Sequence, residues 1–147
     1  MIIYTDGSCQ GNPGPGGFGV VVYEDDKNLY TTHAQYCENT TNNREEIKAI
    51  LYVMRNYGCG AARPLVYSDS AYCVNMFNEW IFSWERNGWK RSKNQEILNL
   101  DLIKEYWDLY QQGYRIDLRK IKGHVGHEGN ELADALATGK ISPSIRL

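Results

Sequence analysis

The chain has 147 residues, 42% of them hydrophobic, and a formal net charge of −2 at neutral pH. That size and balance predict one globular domain around one core, and with every apolar run short of the roughly 18 residues that cross a bilayer and no basic leader before the first strand, a soluble, untargeted protein is expected. Cys9, Cys37, Cys59 and Cys73 form no CxxC pair and have no histidine at zinc-finger spacing, which argues against a metal-thiolate site and for reduced thiols in a cytoplasm.

The first predicted element is a strand over 1–6, the apolar run Met1-Ile2-Ile3-Tyr4-Thr5 ending at Asp6. A second covers 17–24 and a third 29–37, where Tyr30, Thr32, Ala34 and Tyr36 alternate with Leu29, Thr31, His33 and Gln35. Asp25-Asp26-Lys27-Asn28 is the hairpin turn between them. From Asn43 to Tyr57 the period becomes helical, with Ile47, Ile50, Leu51, Met54 and Tyr57 on one stripe, Thr41 and Asn42 as cap candidates and Gly58 as the stop. Glu46 shares that stripe through Ile50 and Val53, and Glu45 is expected to point away.

After Pro64, Leu65-Val66-Tyr67-Ser68 reads as a strand ending at Asp69. Helical segments over roughly 70–86, a basic loop near 87–97, a helix from Asn99 to Gln112, a strand from Tyr114 to Lys122 and a last helix from Asn130 to Thr138 follow. With no repeat or linker, residues 1–140 are read as one catalytic-sized domain and 141–147 as a flexible tail. The order predicts an α/β fold, a mixed five-stranded sheet of three antiparallel N-terminal strands and then parallel strands, flanked by helices. In such sheets ligands gather at the carboxyl ends of the parallel strands.

Four carboxylates stand out. Asp6 and Asp69 each end an apolar run, Glu46 opens an amphipathic helix, and Asp134 interrupts Leu132-Ala133-Asp134-Ala135-Leu136. An ionised carboxylate among apolar side chains costs several kcal/mol or more unless a cation compensates it. Oxygen-only donors favour Mg²⁺ or Mn²⁺ over zinc. Cations are also uneven: Arg86, Lys90, Arg91 and Lys93 share a stretch without an acid, and Arg115, Arg119, Lys120 and Lys122 face only Asp117. Either run alone reads as a solvated face, and beside a metal-type acidic set phosphate binding gains ground.

The local sequences Tyr4-Thr5-Asp6-Gly7-Ser8, Asn42-Asn43-Arg44-Glu45-Glu46, Tyr67-Ser68-Asp69-Ser70, and Gly123-His124-Val125-Gly126-His127 followed by Asn130-Glu131-Leu132-Ala133-Asp134 together resemble type 1 ribonuclease H, in motif order and at matching intervals from residue 1 to about 138. The resemblance implies an endonuclease that cuts the RNA strand of an RNA·DNA hybrid with two Mg²⁺ ions, or Mn²⁺ in their place, leaving a 3′-hydroxyl and a 5′-phosphate, and nothing in the sequence requires more than a monomer. The family's catalytic carboxylates fall on Asp6, Glu46, Asp69 and Asp134, with Asp6 bridging both ions, Glu46 and Asp69 completing one site and Asp134 the other. Its mobile histidine falls on His124, in a proton-transfer or product-release role. His127 is read as a helix-entry residue and Glu131 as a surface one.

By the same resemblance, Asn12, Asn42 and Asn43 are minor-groove donors, and Cys9, Gln10 and Gly11 present backbone to the RNA. Small polar donors suit a duplex recognised by its 2′-hydroxyls and shape. Thr41 and Arg44 are expected at phosphates of the DNA strand, with solvation or pairing to Glu45 as the alternative for Arg44. Trp80, Trp84 and Trp89 with Phe77 resemble the scaffold of a basic protrusion whose cations are Arg86, Lys90, Arg91 and Lys93, the tryptophans at i and i+4 packing into the core. Asn99 is expected to cap the next helix or to meet a phosphate. Two departures temper the grip: Ala71 stands where bacterial relatives commonly carry glutamine, and Glu79 and Glu85 dilute the protrusion, so weaker and more salt-sensitive binding is expected. No room precedes Asp6 for a separate hybrid-binding domain, so low processivity is expected. The competing readings are a DNA-directed nuclease on the same fold and a non-catalytic hybrid-binding module; the motifs around Asn42 and His124 speak against the first and four intact carboxylates against the second.

Overall fold

The structure is a computed structural model that describes residues 1–24, 29–91, 95–122, 128–143 and 145–146. Three antiparallel strands open it: β1 (Ile2–Cys9), β2 (Gly14–Tyr23) and β3 (Tyr30–Thr40). Helix α1 (Asn42–Tyr57) crosses to β4 (Leu65–Ser68), which lies parallel to β1 with Tyr67 opposite Tyr4. A helical stretch follows, α2 (Ala71–Asn75), a wider π turn (Met76–Trp80) and α3 (Ile81–Arg86). Then come α4 (Leu100–Gln111), β5 (Asp117–Lys120) parallel to β4, and α5 (Glu128–Ala137). The sheet runs β3-β2-β1-β4-β5, as the element order predicts, and the two-residue β6 (Ile145–Arg146) is added beside Tyr30 and Thr31. The expected turn at Asp25–Asn28 lies outside the described residues.

Alternation along β2 explains the two faces. Val20 and Val22 point to one side, where Ile3, Val66 and Leu118 of the sheet meet Ile47, Ile50, Met54, Phe77, Ile81 and Ile103 of the helices. Val21 and Tyr23 point to the other, where Ala133 and Leu136 of α5 cover them. Gly19 makes this second layer close-fitting: a Cβ there would stand 2.6 Å from Cβ of Leu136 and 3.0 Å from N of Ala137. α5 therefore rests on bare backbone of β2, which fixes its height above the sheet.

Several boundaries differ from the sequence expectation for identifiable reasons. β1 continues three residues past Asp6, because β2 pairs with it as far as Cys9 opposite Gly16. β5 is shorter than 114–122, since the Arg115 guanidinium lies over the Tyr110 ring at 3.5 Å and donates to the carbonyls of Tyr110 and Tyr114. Arg119 pairs with Asp117, so two cations of the second basic run serve local structure. The π turn rotates the helix relative to a 3.6-residue period. Trp80 is consequently 38% exposed rather than in the core, while Trp84 stays half-buried against it at 6.0 Å.

Candidate active site

The site is built where β1 and β4 run side by side. Asp6 and Asp69 each lie two residues beyond the Tyr4–Tyr67 pair, so parallel pairing carries both to the same end of the sheet. Asp6 shares its face of β1 with Tyr4, which Gly129 of α5 meets closely; a Cβ on Gly129 would come within 2.5 Å of the Tyr4 ring. Five residues on, Asp134 reaches Asp6 closely enough for a side-chain hydrogen bond.

Glu46 arrives from α1 through Gly7. A Cβ on Gly7 would sit 2.5 Å from the carbonyl carbon of Glu45 and 2.8 Å from Cα of Glu46, so only glycine lets the strand and helix backbones touch here. The amide of Gly7 donates to Oδ1 of Asp6 at 3.0 Å and also to Oε1 of Glu46. Ser68, fully buried, donates from Oγ to Oε2 of Glu46 at 3.4 Å and accepts from the amide of Ser70 at 3.1 Å. Gly7 and Ser68 are positioning residues that motif reading passed over. Their signal was a glycine directly after a strand carboxylate and a hydroxyl at an inward strand position.

Ligand oxygens of Asp6, Glu46 and Asp69 all lie within 4.8 Å of one another. Burial raises the Asp6 carboxyl well above the ordinary range, helped by its hydrogen bond with Glu46 and by the charges of Glu46 and Asp69. Burial raises Glu46 as well, offset in part by hydrogen bonds from Asp6, Gly7 and Ser68. Among the described residues, the ion pairs Arg44–Asp101, Lys48–Glu45, Arg55–Glu105 and Arg119–Asp117 all leave the cluster without a cationic side chain. Two buried carboxylates, a third at their edge and only oxygen donors fit a hard divalent cation. In addition, Oδ1 of Asn130, one turn before Asp134, is buried without a partner among the described residues.

The expectation that all four acids are buried is corrected. Asp6 and Glu46 are 7% exposed, whereas Asp69 and Asp134 are exposed: the first follows the end of β4 and the second lies on the outer flank of α5. Glu45 is also corrected, since it is 1% exposed rather than turned away. It accepts from Oγ1 of Thr40 at 2.7 Å and pairs with Lys48 at 2.8 Å. Those two partners make its burial tolerable.

An uncompensated buried acid should weaken the metal-free fold. A folded-state carboxyl raised above its unfolded value stabilises the fold fully below the unfolded value, and that stabilisation disappears as pH rises toward the folded one. In divalent-free buffer, stability should therefore fall from about pH 4 through neutrality, and Asp6→Asn should raise stability at neutral pH by about 1–3 kcal/mol. Thermal melts at pH 4 and pH 8 in chelator measure this. An Asp6→Asn melting point at or below that of the unaltered chain at pH 8 contradicts it.

Around the acids the structure gathers much of the expected binding set. Oδ1 of Asn12 accepts from the amide of Asn42 at 2.9 Å, which joins the Gln10–Pro13 loop to the start of α1. Asn42 and Asn43 are exposed there, as are Gln10 and Gly11, and Thr41 caps the helix by accepting from the Arg44 amide at 3.2 Å. The Cys9 thiol turns inward to the carbonyls of Thr40 and Gly14. Trp80, Ser83, Trp84, Arg86, Asn87 and Lys90 line an open cleft of about 570 Å³, with Arg91 exposed beyond it. Asn99 holds the N-cap position of α4 in the left-handed region at φ 62°, where its carbonyl accepts from the amides of Leu102 and Ile103 and its side chain makes no capping bond. Arg44 pairs with Asp101 rather than Glu45. His124, His127 and Lys93 lie outside the described residues.

The family model described as RNase H matches residues 1–142. A relative from Syntrophomonas wolfei subsp. wolfei named Ribonuclease H is 41% identical over 144 residues, covering 96% of this chain and 95% of the relative. Another of that name from Caldanaerobacter subterraneus subsp. tengcongensis is 41% identical over 148 residues, covering 98% and 92%. Among solved structures, LC9-RNase H1, a type 1 RNase H with the type 2 active-site motif, matches with a TM-score of 0.77 at 30% identity, covering 97% of this chain and 74% of that one. LC11-RNase H1 in complex with RNA/DNA hybrid matches with a TM-score of 0.66 at 26% identity, covering 94% of each chain.

Proposed function

This chain belongs to the ribonuclease H family, and on that footing we propose that it hydrolyses the RNA strand of RNA·DNA hybrids as an endonuclease, without base-sequence specificity, leaving a 3′-hydroxyl and a 5′-phosphate. The observation that carries this reading is the convergence of Asp6, Glu46 and Asp69 within 4.8 Å, with Asp134 beside Asp6. Asp6, Glu46, Asp69 and Asp134 would hold two Mg²⁺ ions, or Mn²⁺ in their place, and the ions would supply an activated water and charge neutralisation at the leaving 3′-oxygen.

The chain's own parts do the rest. Gly7 and Ser68 keep the Glu46 carboxylate aimed across β1, so the acids need little rearrangement when loaded. Asn12, Asn42 and Asn43, brought together beside the acids, offer neutral donors to the minor groove, where the 2′-hydroxyl marks the RNA strand. The aromatic and basic cleft of Trp80, Trp84, Arg86 and Lys90 would take the phosphates of the other strand, with Arg91 exposed beyond it, and the resemblance assigns Lys93 to the same task. His124 is assigned a proton-transfer or product-release role by the resemblance. The protein is read as a monomer of the cytoplasm, and no helix among its described residues is long and apolar enough to cross a membrane.

A three-substrate assay tests this. Labelled RNA·DNA, DNA·DNA and RNA·RNA duplexes are incubated with and without Mg²⁺. Cleavage confined to the RNA of the hybrid, dependent on the divalent ion, is expected. Comparable cutting of the DNA duplex would point instead to a DNA-directed nuclease, and hybrid binding without any cutting to a non-catalytic module.

A further inference from the structure

Past the acids, β1, β3 and the end of α5 enclose a concavity of about 320 Å³, with Ser8, Gln10, Tyr36, Glu38 and Thr138 among its lining. Two of its walls lead back to the acidic cluster. Ser8 lies two residues beyond Asp6 on β1, about 7 Å along the strand, and Thr138 lies one turn beyond Asp134, about 6 Å along the helix axis. The opening is therefore about one nucleotide away from a phosphate held at the acids. Tyr36 is its unusual member. The residue is 57% exposed, yet its hydroxyl donates to the carbonyl of Leu136 at 2.9 Å. Gly17 backs the ring so closely that a Cβ there would stand 2.6 Å from Cδ1. An exposed side chain usually keeps its rotamer freedom, whereas this ring has already lost it, so stacking on it costs little further ordering entropy.

The lining also says what does not enter. Glu38 is the one charged side chain among the described residues around the concavity, and an anion there turns phosphate away. The Thr138 hydroxyl donates to the carbonyl of Asp134 at 2.9 Å, which leaves its oxygen to accept. An aromatic face beside acceptor groups suits a flat ligand whose edge is rich in N–H. Guanine has that edge, since its neighbouring N1–H and N2–H groups can be accepted together by one carboxylate, and its ring can lie on Tyr36. We propose that the concavity takes an unpaired base of the RNA strand, guanine before adenine, turned out of the duplex beside the cleavage position. A base paired within the hybrid does not reach it. The site acts where the RNA strand carries a bulge or mispair, because unstacking costs least there. The inference rests on the hybrid-cleaving reading for the identity of the strand.

Kd is measured in an Asp69→Asn background for a fully paired hybrid and for hybrids with one unpaired guanine or adenine in the RNA strand. A further hybrid carries unpaired 2-aminopurine, whose fluorescence reports its stacking. Tyr36→Ala is expected to weaken binding of the guanine-bulged hybrid about tenfold and to abolish the 2-aminopurine response, with Kd for the paired hybrid within about twofold. Tyr36→Phe keeps the ring and is expected within about threefold of the unaltered side chain. Glu38→Gln should erase a preference for guanine over adenine of about fivefold. Glu38 is exposed, so that change decides the question even if Tyr36→Ala melts early. Equal losses on paired and bulged hybrids would overturn the proposal, as would a 2-aminopurine response that Tyr36→Ala leaves unchanged, or a guanine preference that survives in Glu38→Gln. Failure of the unaltered chain to cut paired hybrid in Mg²⁺ would instead remove the functional reading, whereas the fluorescence response is read without cleavage.

Discussion

Asp69→Asn is expected to lower divalent-dependent cleavage of an RNA·DNA hybrid by about a thousandfold or more while hybrid binding survives or tightens. Losing one anionic donor from a three-oxygen set within 4.8 Å removes several kcal/mol of transition-state stabilisation. Asp69 suits the experiment better than Asp6 or Glu46. It is exposed just beyond the end of β4, so an amide there meets water and leaves the packing intact. Binding moves the other way because one negative charge no longer faces phosphates. Turnover and Kd are measured separately, the latter by anisotropy of a labelled hybrid. Turnover within tenfold of the unaltered chain would remove Asp69 from the metal-holding set.

Gly7→Ala should be nearly as damaging, although residue 7 carries no chemistry. The added methyl meets main chain of Glu45 and Glu46, and main chain in a capped helix cannot swing aside as a side chain can. The helix must retreat from β1, and Glu46 retreats with it. Misplacement by about 1 Å costs on the order of a hundredfold in rate, and overpacking costs about 1–3 kcal/mol of stability or more. Both the turnover number and the thermal midpoint should therefore fall, the first by about two orders of magnitude. An alanine variant that turns over normally would show that the contact at Gly7 does not set the Glu46 position.

Strand and helix order was legible because the period of apolar residues changes cleanly, from two along 29–37 to 3.6 along 43–57. The acids were legible because Asp6, Asp69 and Asp134 end or interrupt apolar runs and Glu46 opens an amphipathic helix. Their exposure was not. Whether Asp69 is buried depends on what packs beyond β4, and no local pattern records that. Glu45 was misread for a related reason: a helical stripe marks which side faces the core, and its edge can be buried when Thr40 and Lys48, from a neighbouring strand and the next turn, satisfy the charge. Trp80 was assigned to the core on a 3.6-residue period that the π turn at Met76–Trp80 breaks. Arg44 and Asp101 belong to different helices, and their partnership is a fact of tertiary structure that neither segment announces.

The seating of α5 on the glycine floor of β2 has a consequence in time. Asp134 belongs to a helix that has no place until Gly17 and Gly19 are already paired in the sheet, and it is the last of the four acids in chain order. At synthesis rates of roughly 5–20 residues per second, the stretch from Asp69 to Asp134 takes roughly 3–13 s to make. Throughout that interval a growing chain can possess three of its acids and lack the fourth. If Asp134 completes the metal-holding set, nuclease activity is expected only once its helix closes over the sheet.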